Sequence, residues 1–337
     1  MLRLYKPLEN HDIFKLHIML EHLVCSVWCE ANNRETCESK LNADFKKLYN
    51  SYEWLKKKID VIYSKSIPLS DDEKKTIKDA FDTNNKIEEL CNGTISPVYL
   101  DTLPEIVEKD IKPLLVEFYE TLLERAKAPG TKQDYYQKLI AANEFQYCPC
   151  CGLSYFESGD SQDREAFDHY LPKSKYPFLC VNFKNLVPLC NKCNSDRKGT
   201  KDPIKEGSKA FYPFSGDPHN IQIDLIIDKS KNLRVLQRED LTINLTGDTE
   251  KIETWNRLFD IKERYNDVSR KLTKSLLHRI KRRHHIFTKD KRNWTFIDTL
   301  QELIDDYEID KYEDWKFLKI PLMKDLKNST NLIEVYA

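Results

Sequence analysis

"AFDHYLPKS" (166–174) stands between two close pairs of cysteines, "CPCCG" (148–152) upstream and "LCNKCN" (189–194) downstream. Its reading decides the architecture. Asp168 directly precedes His169, and Pro172 helps to terminate any extended segment there. Neighbouring residues on a strand face opposite ways, so Asp168 and His169 can serve one point only where the strand ends. Cys148 and Cys151 form one C-x-x-C and Cys190 and Cys193 another. Two such pairs supply the four thiolates that a structural, tetrahedral Zn²⁺ site asks for. In a reducing compartment this spacing argues for metal over a disulfide framework. Cys150 lies inside the first pair, where it could compete as a ligand. Cys25, Cys29, Cys37, Cys91 and Cys180 sit in helical or loop context that suits core burial. The 38 residues between the pairs are far more than a zinc knuckle needs, so the insert is expected to position something else.

The flanks set the frame. At 337 residues the chain has room for two or three domains. Its 54 basic and 55 acidic residues leave a formal net charge of −1, so total charge singles out no partner. The distribution is less even. Residues 264–292 carry eleven Lys or Arg against Asp267 and Asp290, whereas 293–337 carry five Lys against ten acidic residues. Arg279, Lys281, Arg282 and Arg283 concentrate this charge on an expected helix that ends near Arg292. Contact with a nucleic-acid backbone is one reading of them, and a solvated helix face is the other. No run of 18 uncharged apolar residues and no signal-peptide order appear, so a cytoplasmic protein without membrane association is expected.

Apolar residues recur at helical spacing over 11–30 and 40–63, and Ser70 with Glu73 forms a capping box opening another helix. Thr102 with Glu105 reads as a second box, followed by a helix to about Lys127. Residues 1–140 are therefore expected to be helical, and 141–210 to be the cysteine-bearing module. Over 211–248, "IQIDLIID" (221–228) and "LRVLQ" (233–237) read as a β-hairpin, with "LTINLT" (241–246) a candidate third strand. Helical period returns over 249–337. The fold class is α+β, a small metal-centred module between predominantly helical flanks.

The pattern D-H-x-x-P-x-S, a mid-loop N-L and then C-x-x-C-N-x-x-x-K-G, over 148–199, resembles the HNH (ββα-metal) endonuclease superfamily. The resemblance implies two antiparallel strands, one ending near Asp168–His169 and one holding Leu186 to Leu189, then a helix from about Cys193. It implies His169 as general base, and imidazole titrates close to working pH. Asp168 and Asn194 match metal ligands, hard oxygen donors suited to catalytic Mg²⁺ or Mn²⁺ rather than to thiolate-bound zinc. Many members carry His where Asn194 stands. Asn185 matches the residue that orients the histidine loop, and Lys198, Lys173 and Lys175 are placed for the phosphate backbone. The implied activity is hydrolysis of DNA phosphodiester bonds. The stretch 167–201 is similar to prokaryotic anti-phage nucleases such as the HNH subunit of Septu-type systems, where a partner ATPase controls cleavage. This chain has no Walker A motif, so ATP dependence would come from another chain. RNA as substrate, and a zinc-bound adaptor with an idle site, remain the alternatives.

Overall fold

A computed structural model describes residues 1–337 except 158, 160, 162, 163, 218, 219, 291–293 and 329–337, and the side chain of residue 290. Arg292 of the basic run lies outside the described residues. By its backbone contacts the chain divides into two compact units. One comprises Arg3–Phe145 and Phe156–Gly216; the other comprises Gln146–Tyr155 and the chain from Asp217 on.

The first unit opens with helices α1 (Phe14–His22, running on in wider turns over Leu23–Trp28), α2 (Cys37–Lys40), α3 (Ala43–Ser51), α4 (Glu53–Ser66), α5 (Asp71–Asn84), α6 (Ile87–Asn92), α7 (Lys112–Glu120) and α8 (Lys132–Asn143). The 40–63 period is thus two helices, broken where Tyr52 turns extended. Ser70 and Glu73 cap α5 reciprocally. Thr102 and Glu105 do not form a box: the Thr102 hydroxyl donates instead to the Tyr99 carbonyl, within a short turn of its own. Local side-chain bonding has won over capping there.

Strand β1 (Phe167–His169) pairs antiparallel with β2 (Leu186–Pro188), with Asp168 opposite Val187 and His169 opposite Leu186. A helical segment, Lys192–Lys198, follows. Aromatic rings seat this hairpin on α8: Phe167 lies 5.8 Å from Tyr135, 6.1 Å from Tyr136 and 5.7 Å from Phe183, centroid to centroid. The Tyr5 hydroxyl donates to the Pro188 carbonyl and that of Tyr170 to Phe211. A three-residue strand pair cannot stand alone in water, and this packing is what holds it.

In the second unit β3 (Gln222–Ile227) pairs antiparallel with β4 (Leu241–Thr246), and among the described residues the helices α9 (Thr249–Phe259), α10 (Ile261–Asp290), α11 (Phe296–Glu308) and α12 (Lys316–Lys327) follow. The partner of β3 is therefore "LTINLT", and "LRVLQ" is no strand. Leu233 and Leu236 are buried from within the connecting loop, so apolar residues that suggest a strand serve as loop anchors. Among the described residues no helix is long and apolar enough to cross a membrane.

Candidate active site and metal centre

Cys148, Cys151, Cys190 and Cys193 are all buried, and their sulfurs lie within 4.8 Å of one another. Four thiolates around one Zn²⁺ at about 2.3 Å stand roughly 3.8 Å apart, so the cluster needs little contraction to close on an ion. These cysteines are positioned to hold a metal ion such as zinc. Backbone bonds shape each pair. Cys148 N–H donates to Ser154 O, Gly152 N–H to Cys148 O, and Leu153 N–H to the Cys151 sulfur. Gly152 adopts φ 68°, and a Cβ there would come within 2.6 Å of Leu2. Only glycine fits that turn. In the second pair the N–H groups of Cys193 and Asn194 both reach Cys190 O at 2.9 Å. Cys150 stands outside the cluster: it is buried, and its carbonyl accepts from the Trp255 indole at 3.0 Å. Of the remaining cysteines, Cys29, Cys37, Cys91 and Cys180 are buried and Cys25 is half-buried. Burial pushes the Cys25, Cys29, Cys37 and Cys180 thiols up to about 12, so none of these four is a ready nucleophile.

At the end of β1, Asp168 and His169 take up different surroundings. His169 Nε2 lies 2.9 Å from the Cys180 carbonyl oxygen. A carbonyl only accepts, so Nε2 carries the proton and Nδ1 keeps its lone pair. Burial pulls the pKa of His169 down to about 3, which leaves the ring neutral at physiological pH. The Tyr119 ring on α7 meets the imidazole edge-on, centroids 4.6 Å apart. Asn185 is fully buried; its Oδ1 accepts from Leu171 N–H at 2.8 Å, and its Nδ2 donates to Leu171 O at 2.9 Å. The chain after His169 is thereby fixed to the residue before β2.

Asp168 is 4% exposed, and burial raises its pKa against the opposing pull of Lys198. The Lys198 ammonium stands 3.0 Å from each carboxylate oxygen and 2.8 Å from the His169 carbonyl. Only the Oδ1 contact has hydrogen-bond geometry, so Oδ2 lacks a hydrogen-bond partner among the described residues. Lys198 is thus turned inward, away from any surface where a phosphate would lie. Lys173 pairs with Glu120 at 2.7 Å and Lys175 with buried Asp202 at 3.5 Å. Asn194 is half-buried inside the helical segment rather than at its cap, which is Asn191; its carbonyl accepts from Gly199 N–H.

The chain is similar to a Septu protein. It is 32% identical over 139 residues to the Septu protein PtuB of Bacillus thuringiensis, a match covering 38% of this chain and 50% of that protein. It is 31% identical over 103 residues to protein ea31 of Escherichia phage lambda, which covers 31% of each. The chain spans about half the length of the first relative and under a third of the second. No family model and no solved structure matches it.

Tyr119 is the neighbour of this site that sequence reasoning missed. It comes from α7, some fifty residues upstream, and only tertiary packing brings it there. On α10, the four basic residues split. Arg279 donates to the Tyr307 hydroxyl and Arg283 pairs with Glu302, both at 3.0 Å, whereas Lys281 and Arg282 are exposed with no side-chain partner among the described residues.

Proposed function

We propose that this chain is a metal-dependent endonuclease of the HNH type, hydrolysing DNA phosphodiester bonds in prokaryotic anti-phage defence. One observation carries the reading: Nε2 of His169 donates to the Cys180 carbonyl, which leaves the ring's lone pair on Nδ1. Nδ1 is the base that takes a proton from water as its oxygen attacks phosphorus and the bond to the leaving oxygen breaks. Asn185 holds the loop that carries His169, so the base keeps its aim. Asp168 and Asn194 are the residues that would hold Mg²⁺ or Mn²⁺, and Asp168 Oδ2, buried without a hydrogen-bond partner, is the hard donor such an ion takes. When bound, that ion stabilises charge on the phosphate and the leaving oxygen. A Zn²⁺ on the four cysteines keeps the module folded and takes no part in the chemistry.

The similarity to a Septu protein supports the defence setting and, with it, a partner ATPase that governs cleavage. Lys281 and Arg282 are the strongest candidates for contact with the DNA backbone, followed by Lys173 and Lys175 once their acidic partners give way. The test is incubation of the purified chain with supercoiled plasmid, and separately with RNA, in Mg²⁺ or Mn²⁺ with and without EDTA. Plasmid cut only without EDTA supports the proposal. RNA cut in preference to plasmid overturns the substrate, and cleavage indifferent to EDTA overturns the mechanism.

A further inference from the structure

Lys198 is the most constrained charged residue of the molecule's candidate site. Its side chain is fully buried and that of Asp168 is 5% exposed, a degree of burial that lysine tolerates only when paired. Three oxygens surround its ammonium: Oδ1 and Oδ2 of Asp168, each at 3.0 Å, and the main-chain carbonyl of His169 at 2.8 Å. A bidentate carboxylate together with a backbone carbonyl is the donor set of a hard divalent cation. The ammonium serves it imperfectly, since Oδ2 is left without a hydrogen bond. Lys198 also ends its helical segment, and the next residue, Gly199, holds φ 49°, where a Cβ would meet only the Ser195 carbonyl at 3.7 Å. Gly199 and Thr200 are exposed, so the lysine stands one residue from a glycine pivot and from solvent.

We infer that Lys198 is the resident counter-ion of Asp168, seated where the divalent cation binds, and that metal enters only by expelling it. The inference rests on the metal site proposed above. Two cations cannot share those oxygens at 3 Å, so lysine and metal compete, and every increment of affinity that Asp168 offers the ion is reduced by the cost of releasing the ammonium. Once expelled, Lys198 lies beside the bound cation and is free to meet the phosphate. The same residue is thus a counter-ion in one state and a substrate contact in the other.

The experiment is a Mn²⁺ titration followed by electron paramagnetic resonance on the full-length protein, comparing wild type, Lys198→Met and Asp168→Asn. Lys198→Met is expected to bind Mn²⁺ at least tenfold more tightly, and Asp168→Asn to abolish the site. Equal affinity for wild type and Lys198→Met, with Asp168→Asn still abolishing binding, overturns the inference and leaves the metal site standing. Unchanged affinity in Asp168→Asn removes the metal site itself. Wild type alone supplies a second readout, amine acylation of Lys198 followed by peptide mass spectrometry. Protection without metal and labelling that rises along the Mn²⁺ binding curve is the expected result. Protection that persists at saturating Mn²⁺ overturns the inference, whatever the variants do.

Discussion

Asn185 and Leu171 are joined by two hydrogen bonds, side-chain amide to main-chain N–H and carbonyl, at 2.8 and 2.9 Å. One buried side chain therefore closes the sixteen-residue connection between β1 and β2 next to its start. Replacing Asn185 with Ala strands both Leu171 groups without water, and a buried orphan costs about 1–3 kcal/mol each. Denaturant unfolding of Asn185→Ala is expected to show a loss of about 2–6 kcal/mol. Asn185→Asp, which sets a carboxylate oxygen against the Leu171 carbonyl at a fully buried position, is expected to lose at least as much. A loss below about 0.5 kcal/mol, the size of a neutral surface change, would show that the loop holds its shape without this bridge.

The four-cysteine cluster predicts roughly one Zn²⁺ per chain. Cys190→Ser should lower zinc content and the melting temperature together, since a structural metal contributes folding energy directly. Cys150→Ser should leave zinc unchanged, because Cys150 stands outside the cluster. Elemental analysis of untagged protein decides both, and a zinc loss in Cys150→Ser would show that the wrong thiols have been paired.

His17 offers a test by pH, remote in sequence from the candidate site. Its ring stacks on Phe81, centroids 5.6 Å apart, and Nδ1 is buried without a hydrogen bond. Burial pulls its pKa down to about 4, with Asn85 opposing. Between about 6.5 and 4 the unfolded chain takes up a proton that the folded chain refuses. Stability from this residue is therefore full above pH 6.5, falls by about 3 kcal/mol as pH drops to 4, and is flat below. His17→Phe keeps the stack and removes the proton site. Its stability relative to wild type should rise by that amount between pH 7 and pH 4, and parallel curves would contradict the assignment.

The division of the basic residues on α10 makes a salt titration selective. Lys281→Gln with Arg282→Gln should flatten the slope of log affinity for DNA against log salt by about 1.8, at about 0.9 per phosphate contact. Arg279→Gln with Arg283→Gln should leave that slope unchanged, because those side chains are engaged by Tyr307 and Glu302 on α11. Equal slopes for all proteins would make the whole stretch a solvated helix face.

What was legible in the sequence was local. The D-H pair, the Pro172 break and the two C-x-x-C pairs declare themselves through spacing, and the strand ends and the cysteine cluster lie where that spacing puts them. Capping shows the same limit from both sides. Ser70 and Glu73 form their box, while Thr102, with the same chemistry, bonds to Tyr99 instead. The pairing of β3 with β4 across the loop 228–240 is not legible locally, because Leu233 and Leu236 look like a strand and are loop anchors. Lys198 was legible as a residue of the module but not as a buried partner of Asp168, because which way a lysine turns depends on contacts thirty residues apart. Tyr119 carried no local signal at all.

The measurement that tests the account most directly is the DNA cleavage rate of His169→Ala beside wild type, with zinc content and melting temperature matched. On the proposal that Nδ1 of His169 is the base, the variant is expected to lose at least about 100-fold in rate, the lower end of what general-base catalysis supplies. DNA affinity should be nearly unchanged. A variant that cuts plasmid as fast as wild type would contradict the central claim, that the neutral imidazole fixed by the Cys180 carbonyl is the group that activates water.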